Sequence, residues 1–205
     1  MKRARLLVAA LGIGLCYVAP SEAALYAYNA YAVLGSGSGN TFYDIDQATA
    51  NPDFVGQTFT INFGQSLKIG GEVTSDAGGS QPAANGPEWG KILWKIDNGA
   101  EQSLDLANIG DFGTAGWKVQ FQQASYASMT EIGNSLTYGN HSLQVWFQTH
   151  DNNQPADAWV NAGGANYSAS IQVVPEPVAL SLVLFATIGL AGAAFKTLRF
   201  RLARS

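Results

Sequence analysis

The side chains that could do acid–base or metal chemistry are few. His141 and His150 are the two histidines of the chain, nine residues apart. On one regular strand an odd separation sends two side chains to opposite faces, so a shared metal or a general-base pair would require a bulge between them. His141, beside Gly139-Asn140, reads as the cap of a turn. Two oxygen-rich loops, Asp44-Ile45-Asp46 with Asp53 and Asp151-Asn152-Asn153 with Asp157, offer carboxylates to calcium, which takes about six to eight oxygens. Neither follows the spaced EF-hand pattern with its terminal Glu, so Asp44, Asp46, Asp151 and Asp157 are expected in solvated turns, with no bound metal. There is no Gly-x-Ser-x-Gly elbow, no His-Glu-x-x-His helix and no phosphate-binding glycine loop. The run Gly35-Ser36-Gly37-Ser38-Gly39 lacks a Lys and reads as a flexible linker. A hydrolase would need a cleft holding two carboxylates about 5–10 Å apart. The residues present predict a protein without enzymatic activity and without a cofactor.

The five tryptophans carry more information. Trp94 and Trp117 are in phase with apolar neighbours and belong to the core. Trp146 falls on the opposite phase of its strand, and Trp89 and Trp159 read as loop residues. An indole at the surface offers a flat apolar face with one polar handle, which suits sugar rings or protein partners. Trp89, Trp146 and Trp159 are therefore the candidate contacts for a carbohydrate such as an exopolysaccharide.

The elements that must position these residues are read from periodicity and charge. The 205 residues allow one full-sized domain plus short appendages. Between Ala24 and Val174 four lysines face thirteen acids, a net charge of −9. A body that acidic is a poor ligand for phosphate backbones, whose affinity comes mainly from Lys and Arg, so nucleic acid is excluded as a partner. The body, residues 24–174, has a dominant period of two. Phe59 and Ile61, with Val55 and Phe63, alternate with Gly56, Thr58, Thr60 and Asn62. Leu67, Ile69 and Val73, then Ile92, Trp94 and Ile96, then Trp117, Val119 and Phe121, then Leu143, Val145 and Phe147, and finally Tyr167, Ala169, Ile171 and Val173 repeat the pattern. Turn residues separate the runs, most strongly Asp97-Asn98-Gly99. The prediction is all-β, an antiparallel sandwich with the wet faces outward, and without helix apart from a stretch near Asp44 to Ala50.

Both extremities are different in kind. Lys2, Arg3 and Arg5, the apolar run Leu6 to Leu15 and the small-residue site at Ser21-Glu22-Ala23 describe a secretory signal peptide over residues 1–23. The single cysteine, Cys16, falls inside it, so no disulfide framework is available to the body. At the other end Val174-Pro175-Glu176-Pro177 precedes eighteen uncharged residues, 178–195, and then Lys196, Arg199, Arg201 and Arg204 in the tail 196–205. As a helix, that stretch would be about 27 Å long, just enough for a hydrocarbon core of about 30 Å. The basic tail places the C-terminus in the cytoplasm by the positive-inside rule, and the acidic body beyond the inner membrane. Pro175 and Pro177 fix φ and remove two backbone donors, which holds Glu176 in an exposed, extended strip of the kind a protease cleft accepts. A plain linker ahead of a permanent anchor is the alternative.

In this order and position, residues 174–205 resemble the PEP-CTERM sorting signal of Gram-negative bacteria. The resemblance implies exosortase as a partner, export through the inner membrane to the cell surface or beyond, and a structural or adhesive role in the envelope or the polysaccharide matrix. A second resemblance lies in the body. Trp94-Lys95-Ile96-Asp97-Asn98-Gly99, followed by Leu136-Thr137-Tyr138-Gly139-Asn140-His141-Ser142-Leu143-Gln144-Val145, is similar to bacterial Ig-like modules, with a jelly roll as the competing topology. The stretch Ala100 to Ile132 is longer than a minimal module would have.

Overall fold

The computed structural model describes residues 25–36, 39–45, 52–77, 87–112, 118–152 and 156–176. The signal peptide, the apolar segment 178–195 and the basic tail, with Asp46, Trp117, Pro177, Lys196, Arg199, Arg201 and Arg204, lie outside the described residues. Among the described residues no helix is long and apolar enough to cross a membrane.

The fold is all-β. Its strands are β1 (Tyr26–Ser36), β2 (Gly39–Asp44), β3 (Thr58–Asn62), β4 (Lys68–Asp76), β5 (Trp89–Ile96), β6 (Gln102–Phe112), β7 (Lys118–Gln123), β8 (Thr130–Glu131), β9 (Gly139–His150), β10 (Ala158–Val160) and β11 (Tyr167–Val174). They follow one hydrogen-bonded path, β2-β1-β4-β7-β6-β5-β9-β11-β3, with β8 on β4 and β10 on β9. The path folds over at β6. Its first half, through Leu106, pairs with β5, and its second half, from Ala107, pairs with β7. A register shift between Asn108 and Gly110 accompanies the change of partner, and Asn108 Oδ1 accepts the Gly110 N–H at 3.0 Å. A bulge bends and twists a strand locally, which is what a corner between layers needs.

Folding over brings β4 and β7 face to face with β5 and β9. A Cβ added at Gly71 in β4 would lie 2.7 Å from the ring of Phe147 in β9, and one at Gly90 in β5 would lie 2.8 Å from Phe121 in β7. Ser75 Oγ donates to Thr149 Oγ1 at 2.9 Å, a buried bond between β4 and β9. The core between the layers contains Val73, Ile92, Trp94, Phe121, Val145, Phe147 and Ile171, the positions that the period of two assigned to the dry face.

Three expectations need correction, and a fourth falls largely outside the described residues. The pairing is not antiparallel throughout: β3 runs parallel to β11, with Ile61 opposite Val173, because β3 lies along the free edge of the last strand. The Gly35–Gly39 run is no linker, since Gly35 pairs with Asn40 and Ser36 with Gly39, so its flanks close the β1–β2 hairpin. Val55 and Phe63 lie beyond the ends of β3 and are exposed, Val55 in a turn completed by Gly56 at φ 80°. Around Asp44, where helix was allowed, Asp44 is the last residue of β2, and residues 46–50 lie outside the described set.

Candidate functional site

Strand register assembles a row of polar and aromatic side chains on the outer face of β5, β9 and β10. Trp89 stands opposite His150, and Lys91 stands opposite both Gln148 on β9 and Asp105 on β6. Gln148 in turn stands opposite Trp159 on β10. Directly paired residues share a face, and so do residues two apart on one strand. Trp89, Lys91, Asp105, Gln148, His150 and Trp159 thus lie on the same side, while Gly90, Ile92, Phe147 and Thr149 point inward. From standard strand spacing, Trp89 and Trp159 are about 12 Å apart across β9.

The Trp89 indole is held from several directions. His150 stacks on it, with centroids 5.0 Å apart and planes 15° off parallel, and Lys91 Nζ lies 4.8 Å from the ring centroid. Both ring nitrogens of His150 face oxygen acceptors: Nδ1 is 2.7 Å from Asp157 Oδ1, and Nε2 is 2.9 Å from Asn152 Oδ1. Only the imidazolium can donate from both nitrogens. The bond to Asp157, then that to Asn152, raise the His150 pKa above its ordinary value. Asp157 also accepts from Gln148, and Asn152 donates to Glu88. Lys91 reaches Asp105 at 3.4 Å. The result is a half-buried indole fixed by cations, beside an uncommitted one: Trp159 is 46% exposed. Such a surface can stack an apolar ring face on Trp159 and present amide, carboxylate and ammonium partners to hydroxyl groups along the row.

The three tryptophans singled out from the sequence therefore do share a face, with differences in setting. Trp89 opens β5 and Trp159 is central in β10, so both are strand residues rather than loop residues. Trp146 is not at the surface, being only 5% exposed. It lies opposite Leu93, at the level where Val160 ends β10 and Tyr167 begins β11, so residues 161–166 leave and rejoin the sheet beside it. Trp146 thus keeps the phase of Gln148 and His150 but is buried on that face.

The histidines sit at opposite ends of β9 with separate partners. His141 Nδ1 meets Asp97 Oδ2 at 2.8 Å and Nε2 meets the Thr137 carbonyl at 2.9 Å. Asp97 Oδ1 also accepts the Ser142 N–H at 2.8 Å. The bonds to Asp97 and then to Thr137 raise the His141 pKa, and those from His141 and Ser142 lower that of Asp97. His141 thus ties the β5–β6 turn to the start of β9.

Two of the four carboxylates weighed for calcium are not in the solvated turns expected of them, since Asp44 and Asp151 are buried inside the fold, and Asp46 lies outside the described residues. Asp44 is buried, with its N–H bonded to the Pro52 carbonyl and its carbonyl to the Phe54 N–H. Asp151 is buried, and both oxygens of Asp157 take hydrogen bonds. Among the described residues no group of three or more His, Cys, Asp or Glu is arranged to hold a metal ion. An open cavity of about 530 Å³ lies between Ile45, Val55, Ala162 and the run Ala165 to Ser168, and none of these side chains is a carboxylate. Pro175 and Glu176 follow β11 and are exposed. Sequence reasoning missed Lys91, Gln148 and His150 as companions of the tryptophans; their even spacing from Trp89 and Trp146 was visible, but the register that aligns them was not. No protein-family model matches the chain, and comparison with curated proteins finds no relative.

Proposed function

We propose that the chain is a non-enzymatic adhesive protein of the cell envelope or extracellular matrix, exported by its signal peptide and sorted by exosortase through its PEP-CTERM segment. Inner-membrane attachment would be a stage of transit. Adhesion would be exerted on exopolysaccharide by the outer face of β5, β9 and β10. The observation that carries this reading is the alignment of Trp89, Lys91, Gln148, His150 and Trp159 on one face. That face lies toward the end of β9 remote from the exit at Val174: β9 spans about 37 Å, with His150 at one end and Gly139, opposite Val173, at the other. A ligand contact held away from the attachment point is the arrangement an adhesin needs.

The strand order supports an Ig-like topology over a jelly roll. β1, β4, β7 and the second half of β6 run as A-B-E-D, and β5, β9 and β11 run as C-F-G. The added strands β2, β3 and β10, and the long β6, account for the extra length.

Titration with purified exopolysaccharide, followed by tryptophan fluorescence, tests the contact. Wild type should shift; Trp159→Ala should bind roughly two- to tenfold more weakly while keeping its unfolding midpoint, since stacking contributes about 0.5–1.5 kcal/mol. No shift in wild type at millimolar sugar rejects the contact. Fractionation and intact-mass analysis in cells with and without active exosortase test the sorting: retention of everything through Ser205 in both rejects it.

A further inference from the structure

A second exposed aromatic pair lies at the end of the domain where the chain leaves. Phe63 and Tyr138 are 44% and 55% exposed, and their rings stack with centroids 4.5 Å apart and planes 28° off parallel. They come from segments 75 positions apart in sequence, Phe63 just after β3 and Tyr138 just before β9. Asn62 stands opposite Val174 and Gly139 opposite Val173, and the Phe63 N–H donates to the Val174 carbonyl at 2.9 Å. β3 and β9 flank β11 on either side, about 10 Å apart. The two rings therefore converge across the end of β11, over the point where the polypeptide exits.

The core makes no use of this pair, and its position limits what can meet it. From Val174 to Val178, the start of the uncharged stretch, the chain can extend at most about 14 Å. The headgroup layer is itself about 5–8 Å deep on each side of the hydrocarbon. If 178–195 spans the bilayer, the exit pole is held in the headgroup layer or within several ångströms of its outer surface, close enough to enter the interface where Tyr and other aromatic rings are favoured. The surrounding charge fits an uncharged contact. Residues 64–66 and 134–137 carry no ionisable group, Asp97 is paired with His141, and Glu131 Oε1 is tied to the N–H groups of Leu67, Gly133 and Asn134. Among the described residues at this end, Glu176 follows the exit directly, and Glu101 lies exposed just after the β5–β6 turn.

Resting on the membrane-span reading above, we propose that the Phe63–Tyr138 pair seats the domain on the lipid headgroup layer while 178–195 is inserted. It would hold the Pro175-Glu176-Pro177 strip at the membrane surface.

The full chain carrying Cys16→Ala, with one new cysteine bearing an environment-sensitive fluorophore, tests this in phosphatidylethanolamine–phosphatidylglycerol vesicles containing brominated acyl chains. Leu184→Cys reports the span, Asn140→Cys the exit pole, and Ala156→Cys the opposite end. The inference expects bromine quenching at Leu184 and Asn140 and none at Ala156, with the Asn140 quenching lost when Phe63→Ser and Tyr138→Ser are added. Both rings are exposed, so the double variant should retain the wild-type unfolding midpoint. Quenching at Leu184 with an Asn140 label as unquenched as Ala156 overturns the inference and leaves the span standing. An unquenched Leu184 label overturns the span and the inference with it. Quenching at Asn140 that survives the double variant, or an emission change that follows protein concentration rather than bromine, assigns the contact elsewhere and also overturns it.

Discussion

The two ends of β9 each hold a histidine bonded to an aspartate, and the two pairs do different things. His141, at the exit end, is largely buried; its partners are the Asp97 carboxylate and a backbone carbonyl, and Asp97 also takes a backbone N–H. The bonds of that pair fasten the β5–β6 turn to the start of β9. His150, at the other end, has side-chain partners on both nitrogens and lies flat against an indole. Its hydrogen bonds orient a surface instead of closing the backbone. The same two residue types thus make a fastening where backbone groups converge and a platform where the strand ends free.

The largest effect should come from beneath the platform. Gly90 lies between Trp89 and Lys91 and faces inward, where an added Cβ would lie 2.8 Å from Phe121, a fully buried ring. Gly90→Ala forces β5 away from β7 and should lower stability by about 1–3 kcal/mol in urea unfolding. It should also weaken the fluorescence response to polysaccharide while leaving the His141 imidazole resonances unchanged. If those resonances move as far as those of His150, the two ends are not separate units.

The aspartates should divide in the same way. Asp97 sits at φ 53°, a conformation that Asp tolerates and Ala does not favour, so Asp97→Ala loses two hydrogen bonds and gains strain. A cost of about 1–2 kcal/mol is expected, at the lower part of the range for charged hydrogen bonds because the carboxylate is half exposed to solvent. Asp157→Ala should cost about 0.5–1 kcal/mol and reduce polysaccharide binding, which Asp97→Ala should not. Equal stability losses, or binding losses in both, would break the distinction.

How far these ends were legible beforehand depends on which interaction sets each residue. Period two placed Ile92, Trp94, Val145, Phe147 and Ile171 in the core, because alternation is a property of one strand. The Asp97-Asn98-Gly99 turn was likewise local, and the Gly99 N–H does bond the Ile96 carbonyl at 3.0 Å. The parity argument that kept the histidines apart held because β9 runs without a bulge from one to the other. What failed was set between strands. Trp146 was on the right face, yet it is buried there, opposite Leu93 on the neighbouring strand. The Gly35–Gly39 run has the composition of a linker, and only its pairing makes it a hairpin. The row from Asp105 through Lys91 and Gln148 to Trp159 needs three registers at once, and no single-strand pattern encodes a register between segments.

The smallest effect, on pH, tests whether the pairs are charged as their geometry demands. In the folded state the Asp157 bond and then the Asn152 bond raise the pKa of His150, and the bonds to Asp97 and Thr137 raise that of His141, both from an ordinary value of 6.5. The native state therefore holds these protons more tightly than the unfolded chain. The stability each pair contributes is complete below pH 6.5 and is lost as pH rises through the raised folded values. Asp97 acts in the opposite sense: its pKa is lowered from 3.8 by His141 and Ser142, so its share is present above that value and is lost as pH falls through the depressed one. Urea midpoints should thus be highest in mildly acidic solution and fall on both sides. Solvent screening keeps the change below about 1 kcal/mol per pair. Imidazole NMR titration should find both histidines above 6.5; His141 should titrate higher above its ordinary value than in Asp97→Asn, and His150 should be unaffected by that substitution. A stability that is flat between pH 5 and pH 8, in the range where these imidazoles change charge, would mean that neither pair is charged in the way its two acceptors require.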